Sequence, residues 1–386
     1  MAAWLLMTMI VAGNGKEQAK GTDGHEVALQ RVPHRGIQPQ VVVDAIGTVH
    51  LIYFRGDPGH GDLYYVRLEK GRKEFSDPIR INRGPGSAVA IGNMRGAQLA
   101  IGKDSRVHVA WMGADKAIDK GSRGEFPMLY TRLNDTGTAF EKERNVIKFA
   151  YGLDGGGSLA ADGKGNVYVS WHAQRPGTEG EGNRCVWVAQ SIDDGKTFAP
   201  EKQAFLEPTG ACGCCGMRAF ADDEGRLYLL YRSAQEMVHR DMYLLVSPGP
   251  SKGFDGIKIH EWEAGTCPAS TAAFCPTANG AWAAWETRDQ VYFARIARRM
   301  EKRLNPIAAP GEGKRRKYPV IAENARGETI LVWTEGMGWE KGGSVAWQVF
   351  DKDGKPTSEK GQMSGVPTWS LVAVFARPNG GFTILY

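Results

Sequence analysis

The sequence has no long apolar run. Its one extended apolar stretch, Ala2 to Ala12, is about half the length that an α-helix needs to cross a bilayer. No transmembrane segment is therefore expected. Charge of one sign is also missing. There are 48 Lys and Arg against 43 Asp and Glu, a formal net charge of +5, and the two signs are interspersed. Nucleic-acid binders concentrate basic residues on one face, so nucleic acid is not an expected partner. The short run Lys314-Arg315-Arg316-Lys317 reads as a solvated loop. Sustained helical periodicity is absent, which argues against a helical bundle and against alternating strands and helices. Cysteine is sparse, with six in 386 residues.

What is abundant is glycine, at 50 residues, together with 11 tryptophans. Glycine supplies turns, and tryptophan fills the space between twisted sheets. Length alone would suggest two or three domains. An internal repeat overrides that prior. The stretch Gly165-Asn166-Val167-Tyr168-Val169-Ser170-Trp171 is a turn, then an alternating run that ends on an aromatic. The same outline recurs roughly every 50–60 residues, ending on Tyr53, Trp111, Trp171, Tyr231, Trp285, Trp333 and Tyr386. A shorter apolar run precedes each copy, joined to it by a turn rich in Gly, Asp and Asn. Each pair reads as a β-hairpin, and the period is that of propeller blades.

The expected fold is all-β, a propeller of four-stranded antiparallel blades. Seven hairpins favour seven blades, with six as the alternative. Third strands follow each hairpin, for example Leu63 to Arg67 and Val186 to Ala189. The last repeat ends at Tyr386 without outer strands of its own. A lone N-terminal strand, Val27 to Val32, is expected to complete that sheet and close the ring, removing its exposed edge. Residues 25–386 are then one domain. Residues 1–24 are expected to be a signal peptide and polar linker: Ala2–Ala12 has the length of a signal core, small residues follow, and Asn14 to Gly24 is polar. No Lys or Arg precedes the core. The mature protein is expected to be secreted or periplasmic.

The turn after the third strand of the third repeat carries the most specific motif. Ser191-Ile192-Asp193-Asp194-Gly195-Lys196-Thr197-Phe198 fits the Asp box, S-x-D-x-G-x-T-[WF]. The Ser and Asp oxygens can accept backbone N–H groups of the turn, Gly195 permits the unusual backbone angle, and Phe198 tucks under the sheet. Asn134 to Phe140 and Gly249 to Phe254 are weaker echoes. Ser191, Asp193, Gly195 and Phe198 are structural candidates, not catalytic ones. With this box inside repeated four-stranded units, the chain resembles the sialidase superfamily, the BNR-repeat propellers, across residues 25–386. It departs from that pattern in its seven hairpins, where sialidases usually have six blades. It also lacks an Arg-Ile-Pro motif near the first inner strand, where it reads His34-Arg35-Gly36-Ile37-Gln38-Pro39.

Propeller topology sends the loops before each inner strand, and after each repeated aromatic, to one axial mouth. Those positions offer Arg35, Arg95, Arg218 and Arg316, then Arg55, Asp57, His172, Arg232, Glu286 and Glu335. Guanidinium forks around an axis suit a carboxylate. The resemblance implies a clamp of Arg95, Arg218 and Arg232 on an acidic sugar, with His172 grouped beside it as substrate-binding. It implies Glu286 or Glu335 as partner of a nucleophilic tyrosine, for which Tyr231 and Tyr318 are candidates, and Asp57 as acid/base. The implied activity is a sialidase-like exo-glycosidase acting on an acidic carbohydrate or glycoconjugate. A non-catalytic glycan- or protein-binding propeller is the alternative.

The remaining feature is the run Cys212-Gly213-Cys214-Cys215 just before Arg218. Cys267 falls at the matching place in the next repeat, and Cys185 begins a third strand near the same face. Cys275 lies toward the opposite end. In an exported chain disulfides are the default, and a bridge from the cluster to Cys267 is the first expectation. Clustered thiolates also bind Zn or Cu(I), and neighbouring thiols can do redox chemistry. A metal at this cluster is the one cofactor the sequence leaves open.

Overall fold

The computed structural model describes residues 26–249, 252–298 and 303–386. The expected signal peptide and linker lie outside these residues, as do Pro250 and Ser251 in the last Asp-box echo.

The strands form seven sheets. Their innermost strands are Ile37–Val43, Gln98–Ile101, Gly157–Ala161, Arg218–Ala221, Ala272–Thr277, Arg316–Glu323 and Ala373–Ala376, and the sheets are called blades 1 to 7 in that order. Blades 1 to 6 are four-stranded antiparallel meanders, each built from consecutive strands running from the axis outward. Among the described residues the helical content is three short 3-10 turns, and no helix is long and apolar enough to cross a membrane. The seven-bladed expectation is met.

The blades form because each strand alternates, and each sheet has two faces to cover. The core lies between neighbouring blades. Leu159, Val167 and Val169 of blade 3 pack with Ala110, Met128 and Tyr130 of blade 2. All seven repeated aromatics are buried, with Tyr53, Trp171 and Trp285 at 0% exposure. In blades 1, 3, 4 and 6 the hairpin between first and second strands follows one pattern. Asp44, Asp162, Asp222 and Asn324 each accept two backbone N–H groups, from the residues two and four positions on.

The Asp-box turn takes its expected form. Ser191 Oγ accepts the Gly195 N–H at 2.9 Å, and Asp193 Oδ1 accepts the Thr197 N–H at 2.9 Å. Burial raises the Asp193 pKa, but hydrogen bonds from Ser191 and Thr197 outweigh it and bring the carboxyl down to about 2. Phe198 meets Tyr130 of blade 2 edge-on at 4.8 Å. The turn therefore staples blade 3 to blade 2.

Closure differs from the expected four-stranded antiparallel blade in two respects, strand number and strand direction. Blade 7 has three strands, and its outer one is Val27–Gln30, paired in parallel with Phe382–Leu385. Topology gives the reason. Inner strands run away from the mouth and second strands run back toward it. The N-terminal strand must also run toward the mouth, because it leads into blade 1. It fills the third position, next to a second strand of the same direction. The Val32 N–H to Tyr386 carbonyl bond, 3.1 Å, and the Tyr386 N–H to Gln30 carbonyl bond, 3.1 Å, extend the seam.

Candidate functional site

Six inner strands and their leading loops converge on a narrow axial cavity of about 20 Å³. Gln40, Met94, Gln98, Arg218, Ala272 and Tyr318 line it. That volume holds roughly one water-sized group. Arg218 is the cation on the axis. It donates to Gln40 Oε1 at 3.0 Å, to Gln98 Oε1 and to the Ala272 carbonyl at 3.1 Å. These acceptors are all neutral. Desolvation pulls its pKa down to about 10. Among the described residues no carboxylate pairs with it.

Arg95 is part-buried at the same mouth. It forms an ion pair with Asp154 at 2.7 Å and donates to the Asp154 and Ile91 carbonyls. Arg232, expected on the ligand, is 2% exposed. Its nitrogens are taken by Ser270 Oγ and by the carbonyls of Arg240 and Glu286, and it lies over the Trp262 ring. It ties blade 4 to blade 5. The three arginines thus do not converge as a free clamp.

Glu286 closes the second strand of blade 5 and is fully buried. Oε1 faces Lys317 Nζ at 3.5 Å, and Oε2 has no hydrogen-bond partner among the described residues. Burial raises its pKa to about 7, against the pull of Lys317 and Arg232. Tyr318 follows Lys317 in a left-handed conformation, φ 53°. Burial, then the charges of Glu286 and Cys215, hold its phenol well above its ordinary range. Glu286, Lys317 and Tyr318 are therefore one coupled group at the rim of the axis. The basic run expected to be solvated is exposed at Lys314 and Arg315, but its second half is corrected here. Arg316 is 3% exposed and bound to Glu335, and Lys317 is the partner of Glu286.

Glu335 accepts from Arg316 Nε at 3.2 Å, Trp333 Nε1 at 2.8 Å and Gln362 Nε2 at 3.1 Å, so its carboxylate is occupied within blade 6. Asp57 is exposed at a hairpin tip, where it accepts the Gly59 N–H at 2.8 Å. His172 is buried, with the Cys215 carbonyl beside its ring. Burial and the Arg184 charge lower its pKa to about 4, so at neutral pH it is an uncharged packed ring. Tyr231 is buried against Thr209, at 2.7 Å.

The cysteine loop stands beside this group. Cys214 and Cys267 form a disulfide joining the loops that lead into blades 4 and 5, as the sequence suggests. Cys212 Sγ lies 2.9 Å from Cys215 Sγ and 3.4 Å from Cys214 Sγ. Cys212 and Cys215 stand in C-x-x-C spacing, which corrects the reading of the run as lacking a regular C-x-x-C pair. Burial raises the Cys215 thiol, but the hydrogen bond from Cys212 and the Arg232 charge outweigh it and lower it to about 6. Cys212 is raised by the same bond and by burial, so the pair keeps its proton on Cys212. Cys185, expected near the cluster, is a free buried thiol in contact with Arg175 Nε at 3.1 Å. Cys275 is also free.

Sequence reasoning missed Asp154, Lys317 and Trp339. Trp339 is 68% exposed and meets Trp369 edge-on at 4.8 Å. A Cβ on Gly92 would touch its ring, which places it next to the loop carrying Asn93 and Met94 to the axis. Its position outside the repeated aromatics was the available clue.

No protein family model matches the chain, and no curated protein matches it. Solved structures do. A protein of unknown function from Dyadobacter fermentans aligns with TM-score 0.56 at 14% identity, covering 81% of this chain and 94% of that one. Penicillium chrysogenum alpha-L-arabinanase complexed with arabinobiose aligns at 0.50 and 15% identity, over 84% and 95%. The leech intramolecular trans-sialidase complexed with 2,7-anhydro-Neu5Ac aligns at 0.50 and 8% identity, over 91% and 86%. At such identities the likeness is one of fold. The chain is a seven-bladed β-propeller.

Proposed function

We propose that this propeller is carbohydrate-active and takes an acidic sugar at its mouth, with sialidase-like exo-glycosidase chemistry. The observation that carries the reading is Arg218. A guanidinium on the axis, desolvated and bonded only to neutral oxygens, lacks a counter-ion. One oxygen of a ligand carboxylate is small enough for the axial cavity, and the rest of the sugar would sit above it, within reach of the exposed Trp339 face. Tyr318 is the nucleophile in this reading. Glu286, whose carboxyl titrates near neutrality, takes the phenol proton. Asp57, exposed on the same face, is the acid/base. Lys317 sets the charge state of Glu286. A disulfide fits export to an oxidising compartment, so a secreted or periplasmic location accompanies the proposal.

The test is a panel of fluorogenic sialosides, uronides and arabinosides. Release from an acidic glycoside is expected, falling at least ~100-fold in Glu286→Gln and Tyr318→Phe. Arg218→Met should abolish preference for acidic over neutral sugars. One observation favours a second reading: Arg95 and Arg232 are already bonded within the protein. A non-catalytic glycan-binding propeller would bind acidic glycans, lose them in Arg218→Met, and release nothing. Absence of both turnover and glycan binding rejects either reading.

A further inference from the structure

The reading above leaves four cysteines unused. Their sulfurs form a line running outward. Cys215 Sγ is 2.9 Å from Cys212 Sγ, Cys212 Sγ is 3.4 Å from Cys214 Sγ, and Cys214 is bonded to Cys267. Exposure grows along the line: Cys215 and Cys212 are buried, Cys214 is half-buried and Cys267 is exposed. A dithiol therefore lies directly beneath a disulfide whose outer residue, Cys267, is exposed.

The loop is held in register by bonds outside itself. The Cys212 N–H donates to the Arg232 carbonyl at 2.9 Å, the Gly213 N–H to Glu181 Oε1 at 2.9 Å, and the Gly216 N–H to the Ser270 carbonyl at 2.9 Å. Gly213 fits closely: a Cβ would stand 3.0 Å from Asp154 Oδ2 and 3.2 Å from Glu181 Oε1, so these carboxylates would have to shift to admit a side chain. Ser270 Oγ sits 3.6 Å from Cys215 Sγ and is itself bonded to Arg232 Nε, which brings a fixed cation beside the innermost sulfur. Thiolates beside cations are the reactive form of cysteine.

We propose that Cys212, Cys214, Cys215 and Cys267 are a two-electron thiol–disulfide relay that reduces an accessible disulfide on a partner protein. In the inner step the Cys215 thiolate acts as the base, taking the Cys212 proton across their 2.9 Å contact, and Cys212 attacks Cys214 Sγ. The Cys214–Cys267 bond breaks, and its electron pair leaves on Cys267, which takes a proton from solvent. Cys215 then attacks Cys212, its proton moving to the departing Cys214 sulfur. One disulfide, Cys212–Cys215, has replaced another, and no outside oxidant is consumed. In the outer step the Cys267 thiolate attacks the partner disulfide, and Cys214 resolves the mixed disulfide. The partner leaves as a dithiol, and the chain now holds two disulfides. The relay stands independently of any carbohydrate activity.

The experiment uses the full chain and glutathione disulfide as the probe. Samples are quenched in acid at intervals, alkylated, and mapped by mass spectrometry. Wild type should pass from one disulfide to two, Cys212–Cys215 being the new bond, with two glutathione thiols released per chain. Cys215→Ser should accumulate a Cys212–Cys214 bond with Cys267 held as a mixed disulfide with glutathione, one glutathione thiol being released per chain. Cys212→Ser should release thiol at least about tenfold more slowly and keep Cys214–Cys267. Cys275→Ser should behave as wild type. The wild-type disulfide map needs no variant, so a misfolded substitution cannot obscure the result. The relay is overturned if Cys212 and Cys215 stay reduced while Cys214–Cys267 persists at every glutathione ratio. It is equally overturned if the purified chain holds a zinc or copper ion on four reduced sulfurs, three of which already lie within 4.8 Å of one another.

Discussion

Glu286 and His172 are buried ionisable groups whose pKa values burial moves in opposite directions. Glu286 is raised from 4.5 to about 7, so folding favours its protonated form. The stability it allows is fully present below pH 4.5 and is lost as pH rises through 7. The loss is about 3 kcal/mol in total. Glu286→Gln should flatten this alkaline-side decline, as read from urea midpoints between pH 5 and pH 8. His172 is lowered from 6.5 to about 4. Its contribution is present above pH 6.5 and is lost as pH falls through 4, again by about 3 kcal/mol. Between about pH 4.5 and 6.5 the two trends oppose each other and cancel, so their summed contribution should be flat there and decline on either side. Arg218→Met should raise the urea midpoint, because an uncompensated charge leaves the axis. The sequence showed which charges approach the mouth. It did not show that Arg232 would be consumed by Ser270 and two carbonyls while Arg218 would not. Both follow the same topological rule, and only packing against Trp262 and Ser270 separates them.

At the scale of the hairpin, local chemistry was legible because it is local. Asp44, Asp162, Asp222 and Asn324 sit three residues before Gly47, Gly165, Gly225 and Gly327, whose φ values are 87°, 90°, 91° and 77°. The spacing alone specifies a carboxylate or amide that caps the turn and a glycine that completes it. Asp162→Ala removes the acceptor of two backbone N–H groups and one Asn166 amide. It should cost about 1–3 kcal/mol, measured by chemical denaturation. Gly195→Ala should cost more than Asp162→Ala. Its φ is 77°, and a Cβ there would lie 1.7 Å from the Tyr130 hydroxyl, so blade 2 must shift as well. By contrast, the basic run at residues 314–317 was opaque. Its partners, Glu286 and Glu335, lie on the second strands of two different blades, and no local pattern announces such pairs.

Across the whole ring, periodicity fixed the blade count, since seven aromatics need seven sheets to bury them. The direction of the closing strand was deducible as well: an N-terminal segment leading into blade 1 must run toward the mouth. Its outer position in blade 7 was expected from the missing outer strands of the last repeat; what periodicity did not supply was that the blade would stop at three strands. Removing residues 1–31 should expose the edge of Phe382–Leu385 and uncover Ile384 and Phe382, which are fully buried. The expected result is a fall in Tm on the order of 10 °C with concentration-dependent association, checked by calorimetry and light scattering.

The parallel seam also decides how the molecule yields to tension. Val27 pairs with Phe382 and Gln30 with Leu385, so a pull on the N-terminal side of one strand and the C-terminal side of the other acts at opposite corners of the pair. The load is shared along the rungs in shear. An antiparallel seam would be loaded at one corner and would peel open rung by rung. Stretched from its two extremities by an optical trap, the ring should hold until the clasp gives way in a single rupture.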